Sequence, residues 1–286
     1  MASLDAEFLL AARHDTPEVL RGLAARGADV DALTPSGGEA FSEALAGDRY
    51  ENLAVIHELG HRARDHAGAA LRSAVGTGDE QAVAILLGLG ADPDYADPDS
   101  VYPWGPGALG VAARYGELDM VRALVEAGAT VDQEEAEGMR PYLIAVERGR
   151  VEMAEYLREF ESWDQHDPEV VAERIAEYRL PQTLRGFLSA ADPLLRAPRG
   201  AAVRWITFFT LADAVPFEVN GRRVLRLSRA VDGYETQILW DRDEGRVIAR
   251  DTSCGESLAI LGTWPQFFAD PFKLLARYYE GEFDAG

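Results

Sequence analysis

Two registers of turn-forming residues run through the first half of the chain at a fixed offset, and this punctuation constrains the fold more than any other feature. Gly27, Gly60, Gly90 and Gly128 each close an amphipathic run, at spacings of 33, 30 and 38 residues. Twelve residues before them stand Asp15, Asp48, Gly78 and Gly116, and Gly149 follows the last of these by 33. Gly and Asp tolerate the left-handed backbone that ends a helix. The constant twelve therefore describes a unit of two short helices, the first ended by a turn and the second by a glycine. Segments 10–29 and 111–130 share this plan, each running from Ala-Ala-Arg at a helix end through a tight turn and an amphipathic helix to Gly-Ala. A unit this short encloses no core of its own, so its Leu, Val and Ala side chains are expected to be buried between stacked neighbours.

The pattern resembles ankyrin repeats. Gly27-Ala-Asp-Val-Asp31, Gly90-Ala-Asp-Pro-Asp94 and Gly128-Ala-Thr-Val-Asp132 are similar to that family's Gly-Ala-Asp-Val-Asn ending, and Arg140-Pro-Tyr-Leu-Ile-Ala145 to its Thr-Pro-Leu-His opening. No unit keeps that Thr and His, so the repeats are degenerate. The resemblance covers about five units over residues 5–160 and implies a helical stack that binds other proteins and performs no chemistry of its own.

One spacing departs from the period. The 38 residues between Gly90 and Gly128 leave about five extra over a unit of 33, and they fall in 92–106, where prolines and glycines prevent a helix. This insert carries Tyr95, Tyr102 and Trp104 among Asp92, Asp94, Asp97 and Asp99. Aromatic rings beside charges suit an interface anchor, and they equally suit packing of the loop against the third and fourth repeats. These seven residues, with Glu134, Glu135 and Glu137 on the next loop, are the candidate partner-binding residues. The aspartates do not form a calcium loop of EF-hand type, which needs a central glycine and has no place for these prolines.

Charge is distributed unevenly. Residues 1–170 hold 33 acidic and 13 basic side chains, whereas 171–286 hold 16 and 15, which together give the net −21. A field of that sign repels nucleic acid and anionic lipid and favours encounter with a basic protein, although acidity also serves solubility alone. Neither a signal-type segment nor an apolar run of membrane length is present, and the single cysteine, Cys254, excludes an internal disulfide framework, so the expected location is cytoplasmic.

His57-Glu58-Leu59-Gly60-His61 spells the zinc-protease motif, in which two histidines one helical turn apart ligate the metal and the Glu polarises its water. The repeat register contradicts it: Gly60 is a helix terminator, which would put His61 beyond the helix that carries His57. His66 stands one residue early for a third ligand. No metal and no cofactor are expected. Catalysis finds little else, since Cys254 has no histidine after His166, and Asp241, Asp243 and Glu244 occupy a turn where solvation is the simpler state.

After the polar stretch 161–168, which reads as a linker or as a short helix continuing the stack, the pattern changes. A helix bearing Val170, Val171, Ile175 and Tyr178 precedes Leu180-Pro181 and a second one with Leu184, Phe187 and Leu188. Period-two segments follow at 205–211, 217–227, 234–240 and 246–250, with Asn220-Gly221 supplying a type I′ turn. A last helix is expected from Thr263-Trp-Pro, burying Phe267, Phe268, Phe272, Leu274 and Leu275. The fold class is α+β: an all-α repeat domain over 1–163, then an α+β domain with an antiparallel sheet over 169–286.

That second region resembles the SUKH superfamily of bacterial immunity proteins. Ile175 to Leu188 is similar to the superfamily's Leu-Pro followed by Phe-Leu, Asp241-Arg-Asp-Glu-Gly-Arg-Val247 to its acidic strand turn, and Leu258 to Phe268 to its closing Phe-rich helix. The expected Asn-Gly after Phe187-Leu188 is missing, and Gly262-Thr263 stands where Ser is usual. The resemblance implies a non-enzymatic immunity factor that occludes a toxin stoichiometrically, and the negative first half implies that the toxin is basic. A general adaptor built on the repeats is the alternative.

Overall fold

The computed structural model describes residues 3–60, 63–252 and 258–283, without the side chains of 63–66. The chain divides into two compact units, Met1–Ala136 and Glu137–Gly286.

Among the described residues the first unit is four helix pairs: α1 (Leu4–His14) with α2 (Pro17–Ala25), α3 (Ala40–Ala46) with α4 (Tyr50–Glu58), α5 (Ala63–Thr77) with α6 (Glu80–Gly88), and α7 (Ala108–Tyr115) with α8 (Leu118–Glu126). The first helices stack in one row, α1 on α3 on α5 on α7, while α2, α4 and α6 form a second row. Small side chains let the first row pack closely, with Ala11, Ala12, Ala40, Ala44, Ala70, Ala74, Ala108 and Ala112 all buried. A Cβ on Gly47 would collide with the Arg13 carbonyl oxygen of the preceding repeat. Leu20, Leu53, Ile56, Leu71, Leu86, Val121 and Leu124 of these helices are each fully buried.

The terminating glycines behave as their spacing predicts. Gly27, Gly60, Gly90 and Gly128 all have φ between +82° and +96°. A Cβ on any of them meets nothing within 4 Å, so backbone conformation and not space requires glycine there. Three of these ends share one hydrogen-bond pattern. The amides of Ala28, Ala91 and Ala129 reach back to the carbonyls of Leu23, Leu86 and Leu124 at 3.0–3.1 Å, and both members of each pair are buried. This is the Schellman turn with its hydrophobic contact, and it gives the recurring Gly-Ala a physical cause. The first-helix turns are less uniform. Asp48, Gly78 and Gly149 are left-handed (φ +55°, +73° and +68°), but Asp15 and Gly116 are extended, with φ −106° and −82°. At those two ends a single amide-to-carbonyl bond closes the helix (Asp15 to Ala11, Gly116 to Ala112), so no left-handed residue is needed.

The second unit contains one more helix pair, α9 (Pro141–Glu147) and α10 (Val151–Arg158), then α11 (Pro168–Ala176) and α12 (Gln182–Leu188). Eight strands follow, β1 (Leu194–Arg196), β2 (Trp205–Phe208), β3 (Val215–Val219), β4 (Arg222–Arg226), β5 (Ser228–Val231), β6 (Thr236–Asp241), β7 (Arg246–Asp251) and β8 (Leu258–Gly262), before α13 (Trp264–Ala269) and α14 (Pro271–Tyr279). They form two antiparallel sheets, ordered β1-β2-β5 and β3-β4-β6-β7-β8. The chain crosses from one sheet to the other at Leu227–Ser228, where the Ser228 hydroxyl accepts the Ile238 amide at 2.7 Å. Asn220 and Gly221 at φ +51° and +70° make the expected hairpin turn between β3 and β4. The expected last helix is two, because Asp270 caps α14 and Pro271 starts it.

Alternation along the strands builds two cores. Leu225, Ile238, Trp240, Val247 and Ala249 share a cluster with Ile175, Leu184, Leu188, Trp264, Phe267 and Leu275 from the helices. Val224, Leu239 and Ile248 point the other way, with Val219 and Leu258. The Trp240 indole donates to the Tyr178 carbonyl at 2.9 Å and locks β6 to the end of α11.

The polar stretch 161–168 differs from a linker. The Glu161 side chain is buried, accepting from Arg140 Nε at 2.7 Å and lying 2.6 Å from His166 Nε2, and residues Trp163–Gln165 form a 3-10 turn. The fifth helix pair is tied to the sheet in the same way. Arg226 pairs with Glu147, Arg250 with Glu137, Gln237 Nε2 donates to Glu137 at 2.8 Å, and the Tyr142 hydroxyl reaches Asp213 at 3.2 Å. These residues belong to one unit, which is why the chain divides before this pair and not after it.

Candidate partner-binding site

The insert is held by one face of α5. Gly68, Arg72 and Gly76 succeed one another at four-residue intervals and therefore line one side of the helix. A Cβ at Gly68 would overlap the Tyr95 side chain, and one at Gly76 would overlap the Tyr102 hydroxyl, so both glycines are seats for rings. Between them Arg72 is fully buried. Its guanidinium donates to the carbonyls of Pro106 (3.1 Å) and Asp97 (2.9 Å) and to Asp99 Oδ2 (2.6 Å). It also lies over the Tyr95 and Tyr102 rings, 4.9 and 5.1 Å from their centroids. A planar fork with several donors suits this arrangement of divergent acceptors in a way an ammonium does not.

The aspartates shape the loop. Asp92 accepts the Asp94 amide at 3.0 Å, and Asp94 accepts the Thr130 amide at 2.7 Å and also its hydroxyl. Asp99 Oδ1 accepts the amides of Val101 and Tyr102, each at 2.7 Å. Burial pushes the Asp99 carboxyl up, but those two amides and the Arg72 cation outweigh it and hold the group below its usual range. Burial raises the Tyr95 and Tyr102 phenols. The Trp104 ring meets the Tyr102 ring edge-on at 5.9 Å and lies 5.8 Å from the Arg114 guanidinium, which pairs with Glu135.

The candidate residues thus separate. Tyr95, Tyr102, Asp92, Asp94 and Glu135 have structural contacts within the first unit, whereas Glu137 lies in the second, paired with Arg250. Asp97, the outer part of Asp99, Glu134 and part of Trp104 face solvent, together with Val101 at 67% exposure. Sequence reasoning missed Arg72, Gly68 and Gly76. Their signal was an arginine in the mostly small-residue run 67–76, flanked by glycines one turn away on either side.

The motif at 57–61 is divided as the register predicts. α4 ends at Glu58, Leu59 caps it and Gly60 is left-handed. Glu58 pairs with Arg21 at 3.0 Å, and His61 and His66 lie outside the residues whose side chains are described. Among the described residues no group of three His, Cys, Asp or Glu side chains is placed to hold a metal, and no helix is long and apolar enough to cross a membrane. Cys254 lies outside the described residues. Asp241 corrects an expectation: it is buried, paired with Arg222 at 2.9 Å, and accepts the amides of Asp243 and Glu244 to build the turn instead of being solvated.

Helix pairs stacked in two rows, each ended by a left-handed glycine, define a helical repeat protein. The family model described as ankyrin repeats (3 copies) matches residues 71–167. Cyclin-dependent kinase inhibitor 2A of Monodelphis domestica is 35% identical over 126 residues, 43% of this chain and 70% of that protein. Cyclin-dependent kinase 4 inhibitor B of Bos taurus is 40% identical over 81 residues, 28% of this chain and 59% of that protein. The Homo sapiens protein of the same name is 33% identical over 129 residues, 43% of this chain and 91% of that protein. The chain belongs to the ankyrin-repeat family, and its repeats are a protein-binding scaffold.

Proposed function

We propose that the chain is a non-enzymatic immunity factor that neutralises a bacterial toxin by stoichiometric binding, with the outer edge of the insert as its contact surface. The observation that carries this reading is the anchoring of residues 92–106 by Arg72, which leaves Asp97, Val101 and Trp104 on a loop already ordered before any partner arrives, with the exposed Glu134 on the next loop. A pre-ordered loop loses little entropy on binding, and its charge favours a basic partner. The toxin class rests on the resemblance of residues 170–282 to the SUKH superfamily. The relatives' names describe inhibitors, and what carries over is inhibition by binding, not the kinase. The repeats alone would also suit a general adaptor.

The test is to titrate the full chain against the product of a toxin gene adjacent to its own. A one-to-one complex, loss of toxin activity, and an association rate that falls with salt are the expected results. Asp97→Asn with Glu134→Gln should weaken the complex without lowering thermal stability. Many weak, unrelated partners in place of one tight one would favour the adaptor and sink the immunity reading.

A further inference from the structure

A second surface lies on the fifth helix pair, independent of the insert. Phe160 and Trp163 are 50% and 75% exposed, and the Tyr156 ring lies against Phe160 with centroids 4.9 Å apart. Looseness does not explain this exposure. Between the two rings in sequence Glu161 is turned inward and fixed by Arg140 and His166, and the Trp163 carbonyl accepts the amides of His166 and Asp167, so the backbone that carries both rings is held. In the same stretch of chain Glu152, Glu155, Glu159 and Glu169 are exposed, and Arg158 is the only Arg or Lys between 151 and 170.

The geometry points to a docking site for a segment of another protein in which arginines alternate with aliphatic residues. Guanidinium groups stack on exposed indole and phenyl faces, the surrounding carboxylates supply the complementary charge, and aliphatic side chains cover the remaining ring surface. A second copy of this chain fits poorly, because a two-fold contact would set the same acids against each other. Nucleic acid and anionic lipid are disfavoured by the same charges. A few exposed side chains within one short stretch of chain suit a short segment more than the roughly 800 Å² per partner of a stable protein interface.

The experiment measures fluorescence anisotropy of a short fluorescein-labelled peptide alternating arginine and leucine, titrated with the full chain. Binding that strengthens at low salt is expected, with an arginine–serine peptide weaker and an aspartate–leucine peptide silent. Trp163→Ser with Phe160→Ser should weaken binding by about tenfold or more, with an unchanged melting temperature. Trp163→Arg alone, which keeps a long side chain but adds a like charge, should abolish it. Asp97→Asn with Glu134→Gln should leave it unchanged, which separates this site from the toxin-binding insert. Equal binding by the ring variants, loss only in the insert variant, or a dimer of the chain that the ring variants convert to monomer would each overturn the proposal.

Discussion

Replacement of Arg72 by Met tests how the insert is held. Met keeps most of the apolar stem but removes every donor. The Pro106 carbonyl, whose bond to Arg72 is buried, is left bare at about 1–3 kcal/mol, and the partly buried Asp97 carbonyl adds about 1. Loss of the two ring contacts adds about 1–2 kcal/mol. The Asp99 pair adds at most about 1, since that carboxylate is 40% exposed and screened. Against this, the folded protein no longer has a buried cation to desolvate, which returns about 1–3 kcal/mol. The net expected loss is about 3 kcal/mol, equivalent to about 6–12 °C in the melting temperature of a unit this size. Calorimetry of the full chain reads the global effect. Hydrogen exchange at the Val101 and Tyr102 amides, both bonded to Asp99, reads the loop itself and should accelerate more than exchange in α1. Arg72→Lys should fall between, because an ammonium keeps the charge without the fork. Unchanged melting and exchange in Arg72→Met would refute the claim that this side chain organises the insert.

Three further outcomes follow from the packing. Gly128→Ala should cost about 1–2 kcal/mol from left-handed strain alone, whereas Gly47→Ala, at an ordinary φ but against the Arg13 carbonyl, should cost more and perturb α1; thermal melts with amide spectra of α1 separate the two. Asn52→Leu should destabilise the first two repeats by about 2–4 kcal/mol, because fully buried Asn52 donates to the carbonyls of Ala12 and Asp15 at 3.0 and 3.1 Å, and urea unfolding measures it. The Asp99 carboxyl is held below its ordinary value of 3.8, so its contribution is complete above that value and is lost as pH falls through the folded one. The Val101 and Tyr102 amides should therefore lose protection in acid, and Asp99→Asn should remove that step from the exchange profile.

The legible parts of this fold are those set by short-range backbone chemistry. Gly27, Gly60, Gly90 and Gly128 could be read because a left-handed terminator has few residue choices. The β3–β4 hairpin could be read for the same reason, from Asn220-Gly221. The strands β1, β5 and β8 were missed: β1 and β5 are only three and four residues long, and β5, which continues directly from β4, pairs with β2 across two intervening strands after changing sheet through Ser228. Whether Tyr102 faces inward or outward was not readable from the insert, since the deciding atom is absent from Gly76, on another element. The fifth helix pair carried the same punctuation as the others, yet its allegiance to the sheet depends on Arg226, Arg250 and Asp213, some 70 to 110 residues further along.

The negative charge of the first half has two origins that different measurements separate. Asp79 caps α6, Asp92 and Asp99 close turns, Asp94 bridges two loops, and Asp5 accepts the Asp29 amide, so part of the acidity is there because carboxylates satisfy backbone amides. These groups still contribute to the long-range field, and a salt-dependent association rate reports all of them together. Such a rate shows that charge steers encounter and says nothing of where the partner lands. Neutralising Asp94 or Asp99 changes the loop as well as the field. Neutralising Asp97 or Glu134, both exposed, changes the field and any direct contact while leaving the fold alone. A loss of affinity beyond the loss in association rate, in those two variants alone, is therefore what distinguishes a contact surface from a merely acidic protein.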